Sequence, residues 1–170
     1  MKQLFLLRHA KSSWDDSELI DHDRPLAPRG RRAVRLMAEH LGREGVTPAL
    51  VLCSSAWRTR ETLEQIAPVL GEGTPVQIEH ELYAASEQRL LKRLRAVDDG
   101  VESLMLIGHN PGVEQLALNL AASGRNLSDL RRKYPTGALA TLEFSGRWGD
   151  LQPGRAELTE FVTPKQLAKR

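Results

Sequence analysis

Short apolar runs without helical spacing alternate along this chain with segments whose apolar residues recur every three or four positions. That rhythm restricts the fold severely, because strands joined through helices return in the same direction and build a largely parallel sheet covered on both faces. Strands are expected at Lys2–Arg8, Ala49–Ser54, Val76–Glu79, Ser103–Gly108, Ala138–Phe144 and Glu157–Thr163. The clearest helix is Arg29–Glu44, where Val34, Met37, Ala38 and Leu41 share one face between a Pro28 start signal and a Gly45 stop signal. Trp57–Leu70, Glu87–Val97 and Gly112–Ala122 repeat the pattern. The expected architecture is an α/β/α sandwich of three layers with a largely parallel, mixed central sheet, its last two strands pairing at an edge.

The chain has 170 residues, no internal repeat and no linker-like stretch, so one continuous domain over residues 1–170 is expected. With 41% apolar and 27% charged residues it is composed like a globular protein. Apolar runs such as Leu4-Phe5-Leu6-Leu7 are too short to cross a bilayer, and no secretory leader pattern is present. No membrane partner is expected, and a cytoplasmic setting is. Cys53 is the one cysteine and has no partner for an internal disulfide. The 24 basic and 22 acidic residues leave a net charge of +2, and aromatics make up 5%. Nucleic acid is therefore not an expected partner, and Arg31-Arg32 and Arg131-Arg132 read as solvated helix faces.

In open α/β sheets ligands bind beyond the carboxyl ends of the strands. Three polar clusters fall there: Arg8-His9, Arg58, and Gly108-His109-Asn110-Pro111. Together they would form a cationic pocket whose guanidinium forks match the oxygens of a phosphoryl group. The same arginines would repel a metal ion, so no metal and no other cofactor is expected. A neutral imidazole, with an ordinary pKa of about 6.5, has a lone pair that can attack phosphorus without a separate base. His9, at the end of a buried strand where backbone carbonyls can hold one ring proton, is the candidate nucleophile. His109 is expected to act as a charged donor to the transferring group. Lys11, Ser12 and Asn110 lie close enough in sequence to touch substrate. Asp21-His22-Asp23 reads as a flexible polar loop, and His40 and His80 as surface histidines. Cys53-Ser54-Ser55-Ala56-Trp57-Arg58 is one residue shorter than the loop of cysteine-dependent phosphatases and lacks glycine, so Cys53 reads as a small buried apolar residue.

Four spaced segments carry a family resemblance. Leu7-Arg8-His9-Ala10-Lys11, Arg24-Pro25-Leu26 leading to Arg29-Gly30, Ser54 through Thr62, and Gly108-His109-Asn110-Pro111 resemble the histidine phosphatase superfamily, in the same order over nearly the whole chain. Among its branches the chain is most similar to the short bacterial SixA-like phosphohistidine phosphatases. The resemblance implies the histidine phosphatase fold, His9 as the residue that becomes phosphorylated, Arg8, Arg58 and His109 as the phosphate pocket, and a metal-independent cycle. It also implies a phosphohistidine in a protein as substrate. The alternatives are a phosphatase of small phosphate esters or nucleotides and a non-catalytic phosphate- or phosphopeptide-binding module. The chain departs from many members at Ala10 and Thr59, where glycine and alanine are common, and Thr62 matches a hydroxyl position that helix packing explains equally well. For the general acid, Glu81 after the third strand is the best-placed candidate; a weak or missing acid would favour a phosphoramidate over an alkoxide leaving group. The interval between Arg58 and His109 leaves little room for a cap, so the site is expected to be shallow and exposed.

Overall fold

The structure, a computed structural model, describes residues 1–170. Seven strands, Lys2–Arg8 (β1), Leu50–Ser54 (β2), Val76–Glu79 (β3), Ser103–Gly108 (β4), Ala121–Gly124 (β5), Leu139–Phe144 (β6) and Ala156–Val162 (β7), form one sheet in the order β3-β2-β4-β1-β6-β7-β5. β6 alone runs against the others, since it pairs antiparallel with both β1 and β7 while every other ladder is parallel. Six α-helices surround the sheet: Pro28–Arg43 (α1), Trp57–Ile66 (α2), Glu87–Arg95 (α3), Gly112–Leu120 (α4), Leu127–Arg132 (α5) and Pro164–Ala168 (α6).

The central strands are apolar throughout because both faces are buried. Leu4, Leu6, Leu104 and Leu106 pack into one core with α3, α4, α5 and the fully buried Trp148. Their neighbours Phe5, Leu7, Met105 and Ile107 pack into the other with Val34, Met37 and Leu41 of α1, Ile66 of α2 and Leu167 of α6. Alternation along a strand thus divides one hydrophobic run between two cores, which fixes the three-layer sandwich.

Several elements differ from expectation. The helix expected over Trp57–Leu70 gives way to a 3-10 turn at Ala67–Val69, where Pro68 supplies no N–H to continue the ladder. The helix from Gly112 stops at Leu120, and Ala121–Gly124 pairs with β7 instead. Consequently β6 and β7 do pair, but inside the sheet, and β5 takes the edge. The short α5 and α6 fall below the length at which periodicity is legible. α6 nevertheless carries a start signal: the Thr163 hydroxyl accepts from the Gln166 backbone, Gln166 reaches back to the Thr163 N–H, and Pro164 opens the first turn. His40 is a correction, for it is buried on α1 with Nε2 3.0 Å from the Glu160 carboxylate of β7.

Candidate active site

Three adjacent strands, β2, β4 and β1, end side by side, with Arg8 level with Gly108 in the β1–β4 ladder. The segment leaving β1 is fixed from several directions. His9 donates its backbone N–H to the Gly108 carbonyl at 3.1 Å, and the His9 carbonyl accepts from the Gly137 N–H at 2.9 Å. Thr62, buried on α2, accepts from the Ala10 N–H at 3.1 Å and donates to the Arg58 carbonyl at 2.8 Å, so one hydroxyl ties the His9 segment to the helix that carries Arg58. Gly30 explains the Arg29-Gly30 pair: a Cβ there would sit 2.1 Å from the Lys11 carbonyl oxygen, so α1 can approach the β1 exit this closely only through glycine.

The His9 ring has one nitrogen assigned by its partner. Nδ1 lies 2.7 Å from the Ala10 carbonyl, which can only accept, so Nδ1 carries the proton and Nε2 presents its lone pair. Arg58 Nε donates toward that lone pair from 3.4 Å. Burial, opposed by the Ala10 hydrogen bond and reinforced by Arg58, Arg8 and Arg24, pushes the His9 pKa down to about 4. At neutral pH the ring is therefore in the form that can attack.

His109 stands 5.2 Å from His9, centroid to centroid. Its Nε2 is 2.7 Å from the buried Ser54 hydroxyl, and its Nδ1 is buried with no partner in the protein. Burial first, then the His9 ring and Arg58, push its pKa down to about 3. Such a shift favours the neutral ring at neutral pH, in which Ser54 can donate to Nε2 so that Nδ1 holds the donor hydrogen. Arg8 donates through Nη1 to the Tyr134 carbonyl at 2.9 Å, while its Nε is buried without a partner.

A carboxylate that the motifs do not single out completes the pocket. Asp21–Asp23 is a 3-10 turn rather than a flexible loop, and it brings Asp21 against Arg58. Arg58 donates through Nη2 to the Asp21 carboxylate at 3.0 Å and through Nη1 to the Asp21 carbonyl at 2.8 Å. Arg24 donates to the same carboxylate at 2.9 Å, as does the Tyr83 hydroxyl. The Tyr83 hydrogen bond foremost, with Arg58 and Arg24 behind it, holds the Asp21 pKa down at about 2, against the opposing effect of burial. Tyr83 also meets the edge of the His109 ring at 5.5 Å. This cover leaves His9, Arg58 and His109 at 7%, 7% and 5% exposure, so the site is more enclosed than the short interval after Arg58 suggests.

Of the sequence-designated residues, Arg8, His9, Arg58 and His109 come together. Glu81 does not join them: it is exposed in the 3-10 turn His80–Leu82, makes no hydrogen bond or ion pair, and acts on Arg93. Two residues on, Tyr83 is the side chain that turns toward the pocket. Ser12 and Asn110 are committed within the protein, Ser12 accepting from Arg24, and Asn110 donating to the Tyr134 carbonyl at 3.1 Å and accepting from the Glu114 N–H at 3.3 Å. Lys11 is exposed beside Arg8. Cys53 is fully buried on β2 with its thiol pushed up to about 12 by burial, as expected of a structural residue. No three His, Cys, Asp or Glu side chains gather into a group that could hold a metal ion. Asp21 had one signal in the sequence, its place three residues before Arg24, which lets both arginines share its carboxylate.

Residues 4–86 match the family model of the histidine phosphatase superfamily, branch 1. An uncharacterized protein of Mycobacterium tuberculosis is 37% identical over 94% of this chain and its own whole length. Phosphohistidine phosphatase SixA of Escherichia coli K12 is 30% identical over 85% of this chain and 88% of its own. The solved structure of the protein histidine phosphatase SixA complexed with tungstate superposes with a TM-score of 0.78 at 26% identity, covering 97% of this chain and 99% of that one.

Proposed function

The chain belongs to the histidine phosphatase superfamily and is a phosphohydrolase of that kind, and from this premise we propose that His9 is its nucleophile and that a phosphohistidine in a protein is its substrate. The observation that carries the proposal is the His9 ring itself, with Nδ1 bound to the Ala10 carbonyl and the Nε2 lone pair facing Arg58. A non-catalytic phosphate-binding module has no use for a free lone pair held in that tautomer.

In the first step Nε2 attacks phosphorus and a new P–N bond forms while the old one breaks; the substrate ring, protonated on its other nitrogen, takes the electron pair and leaves as neutral imidazole. Arg8 and Arg58 receive the phosphoryl oxygens, as does His109 through the nitrogen that has no partner in the protein. In the second step water attacks the phosphorylated His9, inorganic phosphate forms, and the electron pair returns to Nε2; the water proton passes to the phosphate or the medium. Nδ1 keeps its proton throughout. These charges suffice without a metal ion.

Leaving-group chemistry supports the substrate class. Asp21 is a permanent carboxylate at neutral pH and Glu81 lies outside the pocket, so no carboxylic acid stands ready to protonate an alkoxide. An imidazole leaves without that help far more readily than an alkoxide does.

The test is to trap the intermediate. Brief incubation with a labelled phosphohistidine protein should leave acid-labile, base-stable phosphate on the wild type and none on His9→Ala. His9→Ala should also lower turnover by on the order of a thousandfold or more without loss of fold. Label on another residue, activity lost to chelators and restored by a divalent ion, or sugar phosphates and nucleotides turned over as efficiently as the phosphoprotein would each overturn part of the proposal.

A further inference from the structure

Beside the His9 pocket runs a groove of about 710 Å³. Arg8 forms part of its floor, and its walls carry Lys11, Arg29, Arg132, Lys133, Lys165 and Lys169. Asp129 is the one carboxylate in the lining, and its only cationic partner there is Arg132, at 3.6 Å. None of the other six cations makes an ion pair, although Arg24, Arg58 and Arg93 elsewhere do. A protein with a net charge of +2 thus concentrates a local excess of six in one concavity, and the rest of the molecule is net negative. Solvated helix faces would scatter such charges. Here the β1 exit, α1, α5 and α6, far apart in sequence, converge to gather them.

Lys11 and Arg29 also line a second concavity, together with Trp14, Asp15 and Arg32. Trp14 is 75% exposed, and the Arg24 guanidinium braces its ring from 3.1 Å. An exposed, braced tryptophan among arginines is the composition of a protein-binding surface. Apart from Arg8 the groove cations are exposed, with no buried donors converging on one point as a small polyphosphate would need. Long exposed cations around a broad groove instead suit a partner whose negative charge is spread over a surface.

Building on the His9 reading above, we infer that this groove docks acidic side chains flanking the phosphohistidine of the partner protein, and so selects acidic phosphoproteins.

The test uses the full chain, wild type and Lys133→Glu/Lys165→Glu/Lys169→Glu, whose three positions are exposed and outside the pocket. Its probes are two phosphohistidine peptides of equal length, flanked by glutamates or by lysines, and inorganic phosphoramidate. At low salt the wild type should prefer the glutamate peptide by roughly tenfold in kcat/KM, and the preference should fade as added salt screens it. The triple variant should lose or invert the preference through KM, with phosphoramidate turnover unchanged; the Gln version should fall between. Equal turnover of both peptides by the wild type, or a preference that survives the triple variant, would overturn the docking inference while phosphoramidate turnover left the His9 reading standing. A triple variant impaired only toward nucleoside triphosphates would overturn it in favour of a small polyanion. Failure of the wild type on all three probes, with phosphate esters turned over, would overturn the His9 substrate reading as well.

Discussion

The His9 pocket and the neighbouring groove are both cationic, yet they hold their charge in opposite ways. In the pocket Arg58 and Arg24 are buried and pinned by the Asp21 carboxylate; the field of Arg58 helps keep both imidazoles neutral, and that of Arg24 adds to it at His9. In the groove the lysines stand exposed and unpaired. Buried charges must be partnered to be tolerated, and partnering fixes their geometry, which is what transfer of a phosphoryl group requires. Exposed charges keep their freedom and act through space, which suits capture of a partner. One region is built for the chemical step and the other for encounter.

Arg58→Ala is the most severe way to break that division after removal of His9 itself. It takes away an oxygen-binding fork and leaves Asp21 with one guanidinium fewer, and kcat/KM on phosphoramidate should fall by roughly a hundredfold to a thousandfold. A groove substitution that matched this loss on the same small probe would erase the distinction.

Acidification sharpens it. The folded His9 pKa, about 4, lies below the ordinary value of about 6.5, so between those values the unfolded chain takes up a proton that the folded chain refuses. Stability should therefore be full above about pH 6.5 and decline as pH falls toward 4, with His109 extending the decline to about 3. Activity should behave differently. Corrected for substrate ionisation, kcat/KM should hold from pH 7 to pH 5, where an unperturbed imidazole would have lost about thirtyfold. A midpoint near 6.5 in the pH profile would show that the pocket does not keep His9 neutral.

Gly30→Ala tests the hinge between the two regions, because Lys11 belongs to the groove and its carbonyl packs on Gly30 beside the pocket. The added methyl must push α1 or the β1 exit aside. A stability loss of about 1–3 kcal/mol in denaturant unfolding is expected, with a fall in kcat/KM on every substrate. Cys53→Ala should do least. The thiol sits behind the pocket in the α1–α2 core, so unfolding should register about 1 kcal/mol of lost packing while both peptide and phosphoramidate kinetics stay unchanged. Loss of turnover there would reopen a cysteine mechanism.

Much of the sheet was legible because most of its strands are short runs centred on apolar residues and separated by amphipathic helices; Lys2–Arg8, Val76–Glu79 and Ser103–Gly108 match expectation at both ends. β5 was not, since Ala121-Ala122-Ser123-Gly124 has no strand pattern of its own and is extended because β7 offers it an edge. In the site, the four residues that converge on the pocket announce themselves as polar residues at or just after strand ends. Tyr83 does not, and Asp21 shows only its spacing to Arg24, because their contacts with Arg58 and with each other join distant parts of the chain. Glu81 illustrates the same limit: a carboxylate in the right segment faces the wrong way, while its neighbour two positions on faces the pocket.

The sequence by itself determined the alternation of elements, the two-sided burial of the sheet and the chemical types gathered at the strand ends, since these depend on hydrophobic period and local order. Only the tertiary structure decided which carboxylate pairs with Arg58, that burial and neighbouring arginines lower the pKa of both His9 and His109, and that cations from four separate segments share one groove. Those properties depend on distance and desolvation between residues remote in the chain, and neither quantity is written in local sequence.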